Sequence, residues 1–273
     1  MVATPIGNLA DITLRALNIL KNVDILACED TRVSRILLKH YDIHKKPISY
    51  HDHNALQIGA RLLKALESGK SIALISDAGT PLISDPGFQL VESARQANIR
   101  VIPIPGPSSV LTALIATGLP TDSFYFGGFL PSRQKARRRK LEISKNINTT
   151  LIFYESPYRL AESLADMVDI LGGDRPSALC RELTKKFETI HTETLAALFS
   201  AYGGENRTRG EIVLVIGSEK KKVLLNTENT DHILYDLLLK MPSAQAAKKA
   251  SRITGLAKKN LYARIIELKA QQS

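Results

Sequence analysis

The chain has 273 residues, 44% of them hydrophobic, and carries a formal net charge of +10 from 37 Lys and Arg against 27 Asp and Glu. That length and apolar content exclude a disordered chain and suit two domains with buried cores. No apolar run approaches the roughly 20 residues that span a bilayer, and the start of the chain lacks a charged segment followed by a signal-like apolar core, so a cytoplasmic protein is expected.

In chain order the first signal is V-A-T-P-I-G-N-L from Val2, a short apolar start running into a Pro/Gly loop, followed by Ile12, Leu14, Leu17 and Leu20 in a helical pattern. Strands are predicted at residues 23–29, 71–76 and 100–104. Directly after the apolar run 71–75 comes S-D-A-G-T-P-L-I-S-D-P-G, residues 76–87. An aliphatic run covered on both faces reads as a buried strand, and open α/β sheets bind ligands at the carboxyl ends of their strands. Gly79 and Gly87 supply unusual backbone conformations, Pro81 and Pro86 fix φ, and Asp77 and Asp85 accept hydrogen bonds. Such a rigid, acceptor-lined loop suits a ligand with amines and hydroxyls. The plainer reading is a turn before a helix that begins near Gly87 and is capped by Asp85. Two loops of similar make-up imply one shared cleft.

Cys28 and Cys180 lie in apolar strand-like runs and predict free buried thiols, neither a disulfide framework nor a zinc cluster. His51-Asp52-His53 places two imidazoles on one face of an extended segment, but no third ligand accompanies them. A loop near a nucleic-acid partner or a satisfied structural pair is favoured there over a metal site.

The turn residues G-L-P-T-D at 118–122 mark a boundary, giving domains at residues 1–119 and 120–222. Strands follow at 124–129, 149–154, 177–181 and 211–216, with a helix near 158–171, and this alternation predicts parallel or mixed sheets flanked by helices. Between them Arg133, Lys135, Arg137, Arg138, Arg139, Lys140 and Lys145 face the single acid Glu142 with no Gly or Pro, which reads as a basic helix. Its face serves solubility or binds phosphates. Glu219-Lys-Lys-Lys222 and residues 226–230 have linker composition. Residues 231–273 then predict three short helices around a turn at Gly255, a helix-turn-helix-like unit. Lys248, Lys249, Arg252, Lys258, Lys259 and Arg264 are candidates to meet nucleic acid there; a packing or dimer-stabilising unit reads equally well.

A-T-P-I-G-N-L at Ala3, A-C-E-D-T-R at Ala27, the loop at Ser76, P-G-P-S-S at Pro105, G-G-F-L-P at Gly127, F-Y-E-S-P-Y-R at Phe153 and C-R-E-L-T-K at Cys180 occur in that order. Together, over almost the whole chain, they resemble the tetrapyrrole-methylase-like methyltransferases. Within that family they look like the branch that methylates the ribose 2′-hydroxyl of a cytidine in the decoding region of 16S ribosomal RNA. The resemblance implies two α/β domains with an S-adenosylmethionine cleft between them, a C-terminal all-α appendage, a homodimer, and small-subunit RNA or the assembled subunit as partner. It places the cofactor against Pro5, Ser76, Asp77, Ala78, Gly79, Thr80, Tyr154, Arg181, Glu182 and Leu183. The basic residues Arg133, Lys135, Arg137, Arg138, Arg139, Lys140, Lys248, Lys249, Arg252, Lys258 and Lys259 become RNA-binding candidates.

For proton removal from a neutral hydroxyl the candidates are Glu29, Asp30, Arg32, Glu155 and Lys185, with helix capping at Thr31 the alternative role for Glu29 and Asp30. Members of the family usually carry more residues before A-T-P-I-G, where only Met1 and Val2 stand, so a ragged first strand is expected. A tetrapyrrole or other small-molecule substrate would leave the basic helix and tail unused, and a non-enzymatic nucleic-acid binder would leave the paired loops unused. The absence of G-x-G-x-x-G, G-x-x-x-x-G-K-[ST] and G-x-S-x-G disfavours other nucleotide-binding and hydrolase folds.

Overall fold

The computed structural model describes residues 1–204, 208–218 and 227–270, with the backbone alone for 227–229. The chain divides into two compact units, Met1–Glu219 and Lys220–Ser273.

The first unit opens with a 3₁₀ turn (Leu9–Asp11), then α1 (Leu14–Asn22), β1 (Ile25–Cys28), α2 (Thr31–His40), β2 (Ile48–Ser49), α3 (Ala55–Glu67), β3 (Ile72–Ile75), α4 (Phe88–Gln96) and α5 (Ser109–Ala116). The aliphatic strands β1 and β3 lie side by side in a parallel three-stranded sheet of order β2-β1-β3. Val2 forms only an isolated bridge to Ile104 and Thr4 another to Gly79, so the first strand is indeed ragged. The predicted strand at 100–104 reduces to that one bridging residue. Helix α4 starts after Gly87, whose φ of 132° makes the turn without a side-chain cap, so Asp85 is not its cap.

The second half adds β4 (Phe124–Phe129), α6 (Gln134–Lys145), β5 (Thr150–Glu155), α7 (Leu160–Leu171), β6 (Pro176–Arg181), β7 (Thr189–Thr194), α8 (Leu195–Tyr202) and β8 (Ile212–Ile216). They build a five-stranded mixed sheet of order β4-β5-β8-β6-β7, parallel at β4–β5 and antiparallel elsewhere. One face is covered by Leu164, Met167 and Leu198 of α7 and α8. The other meets Val110, Ala113 and Leu114 of α5, which pack on Ile152, Ala178 and Val215. The last helix of the first half thus closes the core of the second sheet, giving layered α/β packing with a cleft where the halves meet. Both thiols are free and buried, and burial pushes Cys180 up to about 12.

Helix α6 buries Arg137, Leu141 and Ser144, one stripe at helical spacing. Arg137 therefore does not belong to the solvent-facing basic row. Its side chain is 1% exposed and donates to Asp166 at 2.7 Å, with Glu162 and the Ser132 carbonyl each at 3.3 Å. Arg138 is drawn to Asp166 and Asp169. Arg133, Lys135, Arg139 and Lys145 remain exposed.

In the second unit α9 (Thr227–Leu238), α10 (Ser243–Thr254) and α11 (Lys258–Ala270) enclose Leu234, Ala246, Ala250, Leu261 and Ile265. Gly255 ends α10 at φ 75°, a left-handed cap that glycine adopts without strain. Of the expected linker, residues 219–222 and 226 lie outside the described residues, whereas 227–230 are already helical. Lys248, Lys249, Arg252, Lys258 and Lys259 are exposed, but Arg264 pairs bidentately with Asp231 at 3.0 and 2.8 Å and is withdrawn from that set. Among the described residues no helix is long and apolar enough to cross a membrane.

Candidate functional site

Three loops converge at the carboxyl ends of β1 and β3. The amide of Thr4 donates to the Gly79 carbonyl at 2.9 Å, that of Gly79 returns a bond to Thr4 at 3.0 Å, and the Thr80 hydroxyl donates to Pro107 at 3.2 Å. Gly79, Leu82, Ser84 and Gly87 all have positive φ, as do Glu182 and Thr184 across the cleft. Left-handed backbone in non-glycine residues is strained and concentrates at ligand sites. The A-T-P-I-G-N-L and C-R-E-L-T-K segments approach closely: a Cβ at Gly7 would stand 2.4 Å from the Lys185 Cγ, and the Asn8 amide donates to the Thr184 hydroxyl at 3.1 Å.

Between the two halves lies a cavity of about 390 Å³ lined by Asp77, Ala78, Asp85, Ser109, Phe129, Tyr154, Ser156 and Glu211. A neighbouring hollow of about 210 Å³, lined by Pro5, Ser76 and Lys185, shares Ile6, Asp77, Ala78 and Glu211 with it. A larger apolar cavity at the opposite end of β3 contains Arg15, Lys70 and Arg100 but no carboxylate and none of the converging loops.

The cofactor candidates thus divide. Asp77, Ala78 and Tyr154 face the main cavity, and Pro5 and Ser76 the adjoining hollow. Gly79 and Thr80 stitch the loops together. Arg181, Glu182 and Leu183 line neither. Glu182 instead accepts from Lys185 Nζ at 2.9 Å and from the Glu211 amide at 3.0 Å.

Electrostatics sorts the catalytic candidates. Asp30 caps α2 by accepting from the Arg32 amide at 2.7 Å, and the hydrogen bonds from Arg32 hold it down to about 2, too low to accept a proton at neutral pH. Arg32 is spent on that carboxylate. Lys185 is partly buried, which lowers its pKa, but its bonds to Glu182 and Glu211 outweigh this and keep it an ammonium. The buried Glu155 also lines the cavity and accepts from the Ser156 amide at 2.6 Å, from Ser163 at 2.5 Å and from Arg159, bonds that tie it to the loop bordering the cavity. Glu29 behaves differently: burial first, then Asp77 and Asp85, push it up to about 7. Asp77 is also raised by burial.

Asp85 is missing from the sequence-based candidates. Burial, aided by Asp77, lifts it to about 6, and it lines the cavity. The loop sequence displayed it only as an acceptor; desolvation and a neighbouring anion, which set its acidity, arise from the folded loop. Ser109 and Phe129 were missed likewise. The Tyr154 hydroxyl shares a 2.7 Å hydrogen bond with Ser109, and its ring is flanked by Phe126 and Phe129 at centroid distances of 4.9 and 5.2 Å.

At His51 and His53 the rings lie 5.9 Å apart, and among the described residues no group of three or more His, Cys, Asp or Glu side chains is placed to hold a metal ion.

Residues 1–198 match the family model for Tetrapyrrole (Corrin/Porphyrin) Methylases, and residues 225–269 match an RsmI C-terminal HTH domain. A Mesorhizobium japonicum chain named ribosomal RNA small subunit methyltransferase I is 53% identical, covering 98% of this chain and 91% of its own length. Its namesake from Vibrio cholerae is 50% identical over 96% and 92%. Among solved structures, diphthine synthase superposes with a TM-score of 0.62 at 13% identity, covering 79% of this chain and 88% of its own. Cobalt precorrin-4 methyltransferase gives 0.60 at 16%, covering 79% and 92%. At such identities the structural likeness carries the fold alone.

Proposed function

Because the chain belongs to the tetrapyrrole (corrin/porphyrin) methylase family, we propose that it transfers a methyl group from S-adenosylmethionine to the ribose 2′-hydroxyl of a cytidine in the decoding region of 16S ribosomal RNA. The near full-length similarity to chains named for small-subunit ribosomal RNA methylation carries the choice of substrate. The exposed basic residues of α6 have no part in a tetrapyrrole reading.

The residues present fit the cofactor. Burial raises the pKa of Asp77, with repulsion from Asp30 adding to the shift, and a cationic ligand beside it would offset that unfavourable buried charge. Asp77, Ala78 and Tyr154 would hold it in the main cavity, with Pro5 and Ser76 beside them. When bound, it supplies an activated methyl group on a sulfonium. The chain's own task is to align the ribose hydroxyl and receive its proton. Asp85 takes that role: it lines the cavity, and in the free protein burial lifts it to about 6, ionised at neutral pH yet more basic than an ordinary carboxylate. Burial keeps the Tyr154 phenol protonated, so it donates or accepts a hydrogen bond without titrating.

The test is incubation of purified protein with labelled S-adenosylmethionine and either naked 16S RNA or assembled small subunits lacking the modification, with the product nucleoside identified by mass. 2′-O-methylcytidine is expected; no transfer despite measurable cofactor binding would favour a small-molecule substrate. The triple variant Arg133→Gln, Lys135→Gln and Arg139→Gln is expected to weaken RNA binding and to flatten the plot of log affinity against log salt by about one unit per lost phosphate contact. A salt dependence unchanged in the variant would remove α6 from the interface. We also propose a homodimer: Leu111 and Ile115 on α5 are 50% and 76% exposed, apolar surface that a second copy would cover. Sedimentation equilibrium showing only monomer at micromolar concentration would exclude it.

A further inference from the structure

Phe129 lines the main cavity yet remains 53% exposed. The ring is held in place from below. Gly127 and Gly128 lie in the irregularity that shifts register between Phe126 and Phe129. A Cβ at Gly127 would stand 2.4 Å from the buried Phe153 ring, and Gly128 has φ 63°, so both positions demand glycine. Lys140 reaches back from α6 and donates to the carbonyls of Gly127 and, at 2.9 Å, Phe129. Burial lowers the pKa of that ammonium, which marks it as a desolvated clamp and not a free surface charge. The Tyr154 ring meets Phe129 at 61° between planes, an edge contact that braces the ring.

Four residues further along the chain, Arg133 begins the exposed basic row. Phe129 thus lines a cavity suited to a cation and a ribose hydroxyl, and the exposed basic row begins one short turn of chain away. A nucleotide whose ribose must enter such a cavity has to leave its stack, and the unstacked base needs a new aromatic surface. A cofactor seated against Asp77 and Ala78 would occupy the inner wall, leaving the ring at the mouth to the incoming nucleotide.

We propose that Phe129 is the stacking platform for the base of the nucleotide being methylated, and that Lys140 is a positioning residue that fixes the platform. This rests on the RNA reading above. The experiment measures three quantities for the wild type, Phe129→Leu, Phe129→Trp and Lys140→Met: S-adenosylmethionine affinity by calorimetry, kcat/KM for 16S RNA, and quenching of pyrrolocytosine placed at the target cytidine of an RNA fragment. Phe129→Leu is expected to leave cofactor affinity within about twofold, lower kcat/KM by about tenfold and abolish the quench. Phe129→Trp keeps both the rate and the quench. Lys140→Met loses part of the quench below its melting temperature, a change that reduced stability alone would not produce. A Phe129→Leu variant with unaltered quench and rate overturns the proposal, as does one whose cofactor affinity falls in step with its rate, since the ring would then serve the cofactor. A wild type that methylates no RNA would instead strike the RNA reading itself.

Discussion

Asp85→Asn is expected to lower methyl transfer by about 100-fold or more while the protein becomes more stable at pH 8. Both effects have one cause. Burial and Asp77 raise the folded-state acidity of Asp85 from 3.8 to about 6, so the folded protein binds a proton more readily than the unfolded chain between those values. Stability linked to this group is complete below about pH 4 and is lost as pH rises through about 6. A neutral Asn avoids that loss. The variant should therefore exceed the wild type in melting temperature at pH 8, with the gap closing toward pH 4. The wild-type rate should climb about tenfold per pH unit below 6 and flatten above it, and Asp85→Asn should lose that limb. Glu29→Gln provides the control, because burial and its acidic neighbours place Glu29 at about 7. A limb centred near 7 that vanishes in Glu29→Gln and persists in Asp85→Asn would transfer the role to Glu29.

Asp166→Ala is expected to destabilise the first unit by about 3 kcal/mol, because it strands a buried guanidinium. Arg137 is 1% exposed and Asp166 4% exposed at the side chain, and their 2.7 Å contact is the shortest that Arg137 makes. The remaining acidic partner, Glu162, is 66% exposed and compensates little. For a unit of this size that loss lowers the melting temperature by roughly 10 °C. Burial works to raise the Asp166 pKa, but hydrogen bonds from Arg137 and Arg138 outweigh it and the net shift is downward. Its stabilising contribution is thus present above about pH 4 and fades as pH falls through the folded-state pKa, so wild type and variant converge in acid. The double change Arg137→Met with Asp166→Leu should recover most of the loss, since an apolar pair of similar volume needs no compensation. A single variant as stable as the wild type would mean that the guanidinium finds water or another partner.

Much of the architecture is legible from the chain. Aliphatic runs such as 25–28 and 72–75 read as buried strands and are, Gly255 stops a helix, and the recurring Pro/Gly loops after apolar segments announce loops at strand ends. The polar strand β7, Thr-Ile-His-Thr-Glu-Thr, was not legible, because an edge strand draws its stability from the ladder with β6 and needs no apolar periodicity. The expected strand at 100–104 fails for the complementary reason: apolar residues do not make a strand where only Val2 offers a partner.

The site shows the same division. Sequence by itself determined which loops carry it, since backbone conformation and hydrogen-bonding groups are local properties of Gly, Pro and Asp. How far each carboxyl's acidity departs from its ordinary value was decided only by tertiary structure. Asp30, Glu155, Glu29 and Asp85 are chemically similar in the chain. In the fold one is tied to Arg32, one is saturated by donors, and two are desolvated beside other anions. Composition likewise declared α6 basic, but burial alone separated Arg137, which holds the core, from Arg133, Lys135 and Arg139, which face solvent. Acidity and exposure depend on neighbours brought together from distant parts of the chain, and local sequence carries no record of them.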